Sequence, residues 1–134
     1  MFAPTSFFFF LERELAAAER YGFYVSYLLF RLPGQLNGSG EEAREALSGT
    51  LSDNIRVTDY LGEVDDGTLG VILLNTTKDD VDKVKARLQE EARLRLAHLS
   101  EGGHPQIGDA VYPTEANSVK ELVDLALDRI VAPS

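Results

Sequence analysis

Two apolar segments, residues 57–64 (VTDYLGEV) and 68–74 (TLGVILL), are separated only by Asp65, Asp66 and Gly67. An Asp-Gly pair between such segments is a strong hairpin signal, because both turn positions favour positive φ. The hairpin fixes two adjacent antiparallel strands near the middle of the chain. Every other element must be arranged around that ribbon.

Residues 23–32 (FYVSYLLFRL) are aromatic and aliphatic with little polar relief, which predicts a strand covered on both faces. Residues 33–40 (PGQLNGSG) are punctuated as a loop. Ser39 and Glu42 form a capping box, and Ala43, Ala46, Leu47, Leu51 and Ile55 follow at helical spacing. Thr77 and Asp80 open the longest helix, with Val81, Val84, Leu88, Ala92 and Leu96 along one stripe. Residues 106–112 form a short strand stopped by Pro113. Ser118 and Glu121 cap a last helix carrying Val119, Leu122, Val123, Ala126 and Ile130, and Pro133 ends it. With a helix at each end, the order is β-α-β-β-α-β. That is α+β, a ferredoxin-like four-stranded antiparallel sheet, and residues 1–134 make one domain.

Composition narrows the chemistry. The formal charge of −9 repels a phosphate backbone, which argues against nucleic-acid binding. Without cysteine there is neither a disulfide nor a thiolate metal site, and His98 and His104 lack metal-ligand spacing. The apolar run from Phe7 to Leu11 is too short to span a bilayer and has no basic flank. The expectation is a cytoplasmic chain with no membrane segment, cofactor or metal.

That run raises a packing problem of its own. Phe7, Phe8, Leu11, Leu15 and Ala18 share one side of a helix, but four consecutive phenylalanines, Phe7 to Phe10, span more than one face. Either another chain supplies cover or the turn tucks under the C-terminal helix. The reading taken is a satellite core cluster; the alternative is a patch for a protein partner or a second copy.

Several pieces resemble one family. Phe7, Leu11, Glu14 and Arg20-Tyr21-Gly22 stand at the places of the first helix of GGDEF domains, the diguanylate cyclase fold. QIGDAVYP (residues 106–113) resembles the family's Ser-Ile-Gly-x-Ala-x-Tyr-Pro strand, and residues 120–130 its closing helix. The likeness covers nearly the whole chain. The family's opening motif before the first helix has no counterpart, which implies a truncation or a free-standing relic.

The signature positions fall on Asp65, Asp66, Gly67, Thr68 and Leu69. The family uses two glycines there for close approach to the nucleotide, followed by acids for metal and catalysis. Aspartates in the glycine places add side chains and negative charge against a triphosphate, and Gly67 and Thr68 cannot replace the acids. Where the family's first strand carries a metal-binding Asp-x-Asp, this chain has Arg31-Leu32-Pro33, and a guanidinium repels a divalent cation. The stretch between the first strand and the hairpin also looks trimmed. The resemblance therefore implies a degenerate, catalytically inactive domain with no catalytic residue.

One family feature is retained. An inhibitory Arg-x-x-Asp site precedes the signature by five residues, and Arg56 and Asp59 reproduce that spacing. Arg87 stands where an arginine of the next helix supplements the site. A guanidinium fork suits the guanine O6/N7 edge and a carboxylate accepts from guanine N–H groups, so the resemblance implies a cyclic di-GMP receptor site at Arg56, Asp59 and Arg87. The plain alternative is a solvated or capping pair worth about 0–1 kcal/mol. Gly34, Gly38 and Gly40 read as a connector rather than a phosphate loop, and Asp79, Asp80 and Asp82 as a first-turn charge cluster. The functions expected are an inactive regulatory or receptor domain, or an interaction module without a nucleotide. A minor third is a divergent nucleotide enzyme with Asp65 and Asp66 as replacement metal ligands.

Overall fold

The computed structural model describes residues 1–32, 40–65, 67–97 and 105–131. In chain order it contains α1 (Pro4–Tyr21), β1 (Val25–Arg31), α2 (Gly40–Asn54), β2 (Tyr60–Asp65), β3 (Thr68–Leu74), α3 (Lys78–Leu96), β4 (Gln106–Tyr112) and α4 (Val119–Val131). The strands form one antiparallel sheet in the order β2-β3-β1-β4. This is the ferredoxin-like arrangement expected, with helices added at both ends.

β1 lies between two strands and is buried from Val25 to Phe30. Alternation divides its side chains between two cores. Leu28 and Phe30 join Leu47, Leu51, Leu69 and Leu88 beneath α2 and α3. Tyr27 and Leu29 join Phe7, Leu11, Ile72 and Leu122 beneath α1 and α4. The strand begins at Val25 rather than Phe23, because Tyr24 already spends its carbonyl on the Asn75 N–H, 2.8 Å away.

The expected start signals operate at α3 and α4, and a glycine stop closes α1. Thr77 caps α3, its side chain accepting from the Asp80 N–H, and Ser118 Oγ accepts from the Glu121 N–H at 3.1 Å. Gly22 closes α1 in the left-handed region at φ +77°, where glycine carries no Cβ penalty. The Ser39 cap, the loop glycines Gly34 and Gly38, both histidines, Asp66 and Pro133 lie outside the described residues.

The phenylalanine run forms part of a second core cluster, as read, with Phe7 buried alongside Leu122, Ala126 and Ile130 of α4 and Phe8 and Phe10 packed against it. Phe7 sits on the sheet, over Gly62 of β2 and Gly70 of β3, which face each other in the ladder. A Cβ on Gly62 would stand 2.5 Å from the ring and one on Gly70 2.6 Å, so paired glycines make the slot. Phe10 stacks on Tyr60 with centroids 5.0 Å apart, and Phe2 covers it at 4.8 Å. Phe2 reaches that place by pairing with the β2 edge: its N–H donates to the Leu61 carbonyl, and its carbonyl accepts from the Glu63 N–H. Phe8 is half-buried, and Phe9 remains 57% exposed. The Tyr60 hydroxyl donates to Glu14 at 2.6 Å; that bond, then burial, pushes its pKa up to about 12. Among the described residues, no helix is long and apolar enough to cross a membrane.

Candidate functional site

Residues 56–59 precede β2 rather than forming its start. The Asp59 N–H donates to the Arg56 carbonyl at 2.9 Å, closing a turn, and Val57 is fully exposed. Valine and threonine favour a strand here, but the aspartate side chain offers the backbone a competing local partner. Asp59 Oδ2 accepts from the Arg56 N–H at 2.9 Å and from its Nε at 3.2 Å. Its Oδ1 accepts from the Leu74 N–H at 3.2 Å and from Arg56 Nη2 at 3.3 Å. The carboxylate is thereby 1% exposed while the Arg56 side chain is 56% exposed.

Arg56 Nη2 also donates to the Leu74 carbonyl and, at 2.9 Å, to Thr76 Oγ1. The fork thus fastens the α2–β2 turn to the end of β3. Asn75, at φ +57°, redirects the chain into α3, and Ser26 Oγ anchors the Thr76 carbonyl at 3.1 Å. From α3, Arg87 Nη2 donates to the Asn54 carbonyl at 3.0 Å. A cation there meets the negative end of α2.

These elements enclose a cavity of about 380 Å³, within the lower range of small-molecule pockets. Arg56, Asp59 and Arg87, singled out from sequence, all line it. So do Asn75, Thr76, Asp80 and Lys83, which the sequence reading did not place in a site. Lys83 had one available signal, its position one helical turn before Arg87. Neither Lys83 nor Arg87 is paired with a carboxylate among the described residues, whereas Asp59 is already matched by Arg56. The rim therefore offers two uncompensated cations and one further acid, Asp80, which holds the Thr77 hydroxyl at 3.2 Å. Such a surface suits an anion with hydrogen-bonding edges.

The hairpin turn, where the resemblance puts the signature positions, lies at the other end of the sheet's central strands. Asp65 ends β2 and pairs with Thr68, which pairs with Arg31, which pairs with Gln106. The Leu32 N–H donates to the Gly67 carbonyl at 2.9 Å, joining the turn to the end of β1. Gly67 has φ +81°, as the Asp-Gly turn requires. Thr68 and Leu69 are buried, and Asp65 is exposed. This row sets Arg31 beside the start of β3, next to the hairpin turn. Among the described residues no three His, Cys, Asp or Glu side chains converge as a metal site would require.

Solved structures similar to this fold include GGDEF domains. A diguanylate cyclase protein from Thermotoga maritima superposes with a TM-score of 0.82 at 15% identity, covering 96% of this chain and 95% of that one. The FimX GGDEF domain from Pseudomonas aeruginosa gives 0.82 at 14% identity over 97% of this chain and 86% of that one. The GGDEF domain of DgcB from Caulobacter crescentus, in complex with c-di-GMP, gives 0.80 at 12% over 96% and 82%. No protein-family model and no curated protein matches the sequence. The chain is a GGDEF-like domain in its fold.

Proposed function

We propose that this chain is a GGDEF-like signalling domain that makes no cyclic di-GMP and instead binds it in the cavity between α2, the end of β3 and α3. The observation carrying this reading is the convergence of Arg56, Asp59 and Arg87 on one 380 Å³ cavity. Arg56 and Arg87 present guanidinium donors to guanine edges and phosphate, Lys83 adds a point charge, and Asp59 fixes the Arg56 fork. The inactive half of the proposal rests on Arg31 at the end of β1 and on Gly67 and Thr68 in the places of acids.

Titration calorimetry with cyclic di-GMP tests it. Saturable heat is expected with a dissociation constant on the order of micromolar, weakened about ten-fold or more by Arg87→Ala. No heat at high micromolar ligand, with folded protein, removes the receptor role. Incubation with GTP or ATP and Mg²⁺ or Mn²⁺ is expected to yield no product. Turnover would instead point to Asp65 and Asp66 as replacement metal ligands.

A second reading, an interaction module without a nucleotide, is favoured by the exposed ring of Phe9 beside the half-buried Phe8 and Phe10. Sedimentation velocity separates the copies: a strictly monomeric chain at high concentration speaks against self-association through α1.

A further inference from the structure

A second cavity, of about 280 Å³, lies where α1 ends, β1 begins and β4 ends, and shares no lining residue with the arginine-lined pocket. Its walls include Phe23, Tyr24, Tyr112 and Pro113, together with Glu19 and Gly22 of the last α1 turn and its cap. Tyr24 is 39% exposed, and the Phe23 and Tyr112 rings are half-buried. Phe23 and Tyr112 pack partly against the α1–α4 core, and Tyr24 is the ring most open to solvent.

The electrostatics at this spot favour one sign. Glu19 has no cationic partner among the described residues. The neighbouring cation, Arg20, lies over the Tyr21 ring at 5.5 Å and does not line the cavity. The Gly22 N–H takes the Ala18 carbonyl at 2.8 Å. The carbonyls of Glu19, Arg20 and Tyr21 receive no backbone N–H from the described residues. A helix C-terminus carries about half a negative charge, aromatic faces attract cations, and the carboxylate adds a full charge. All three contributions point the same way.

We infer that this cavity is a binding site for a small organic ammonium cation, held by the aromatic walls and neutralised by Glu19. Its volume falls below the usual drug-sized range and fits a trimethylammonium-sized group, not a dinucleotide. The inference is independent of the nucleotide reading and uses none of its residues.

The test is an amide-resolved NMR titration of the whole chain with choline chloride at matched ionic strength. A parallel titration uses 3,3-dimethyl-1-butanol, the uncharged isostere of choline. Choline is expected to shift the Gly22, Tyr24 and Tyr112 amides saturably, with the neutral isostere weaker by about ten-fold. Glu19→Gln and Tyr24→Leu, both at exposed positions, should each weaken choline several-fold while the remaining spectrum stays native. Absence of saturable shifts, equal binding of the uncharged isostere, or indifference to both substitutions would each overturn the assignment.

Discussion

Substituting Gly70 by alanine puts a methyl group 2.6 Å from the Phe7 ring and 3.0 Å from a Val64 methyl, inside the contact distance of about 3.5–4.0 Å. The fully buried ring has Phe8 and Tyr27 on its other sides, at 5.5 and 6.2 Å between centroids, so retreat is costly. Gly70→Ala is expected to cost about 1–3 kcal/mol and Phe7→Ala about 3–5 kcal/mol in urea denaturation. Truncating Phe7 makes room for the methyl, so the double variant should lose less than the sum; additive losses would refute the slot. Tyr27 makes the opposite case. Its hydroxyl is buried with no hydrogen-bond partner among the described residues, and burial, with a smaller effect from Asp65, pushes its pKa well up. Tyr27→Phe should leave stability unchanged or raise it by about 1 kcal/mol, and a clear loss would reveal a partner for that oxygen. The Phe7 stripe was legible in the sequence because helical period exposes it. The glycine slot was not, because two glycines eight residues apart become a feature only once the ladder sets them opposite each other. The same limit applies to Asp59: its spacing from Arg56 is visible in the chain, but the inward turn of its carboxylate is not.

At the scale of elements, α3 is fastened to β4 by charge as well as by packing. Lys78 and Lys85, seven residues and so about two turns apart, each place Nζ 2.9 Å from an oxygen of the buried Asp109. From the other face Arg129 of α4 donates to the Asp109 carbonyl at 2.8 Å and pairs with Glu115 at 2.6 Å. Burial alone would raise the Asp109 pKa, but the hydrogen bonds from Lys85 and Lys78 outweigh it and hold the group below the usual carboxylate value. The Arg129 hydrogen bond likewise lowers Glu115. A carboxylate depressed in the folded state contributes fully above its unfolded pKa of about 4, and that contribution is lost as pH falls through the folded value. The urea midpoint should therefore decline from about pH 5 towards about pH 3, and Asp109→Asn should flatten that decline. Parallel slopes for the two proteins would show that the clamp does not contribute. Strands, helices and hairpin were legible from period and punctuation, which are local. This clamp was not, since Asp109 reads in sequence as one polar residue in QIGDAVY, and its lysines come from a helix that the fold alone brings near.

For the molecule as a whole, the decisive element is β1, which supplies Leu28 and Phe30 to one core and Tyr27 and Leu29 to the other. Neither helical layer keeps its apolar cover if that strand leaves the sheet, so the two cores should unfold in one transition. The candidate nucleotide cavity draws on Leu73 and Val84 and belongs to the α2–α3 layer. The chain has no tryptophan, and Tyr27 and Tyr60 pack with the α1–α4 layer. Tyrosine near-ultraviolet dichroism thus reports mainly on the α1–α4 layer, whose rings do not line the cavity. Cyclic di-GMP at about 100 times its dissociation constant stabilises a binding-competent fold by about 2.7 kcal/mol, which corresponds to a rise of roughly 5–10 °C in Tm for a domain of this size. The tyrosine signal and the backbone signal should rise together by that amount, and Arg87→Ala, ten-fold weaker at the same ligand concentration, should about halve both shifts. If ligand moves the backbone transition while the tyrosine signal still melts at its ligand-free temperature, β1 does not couple the layers.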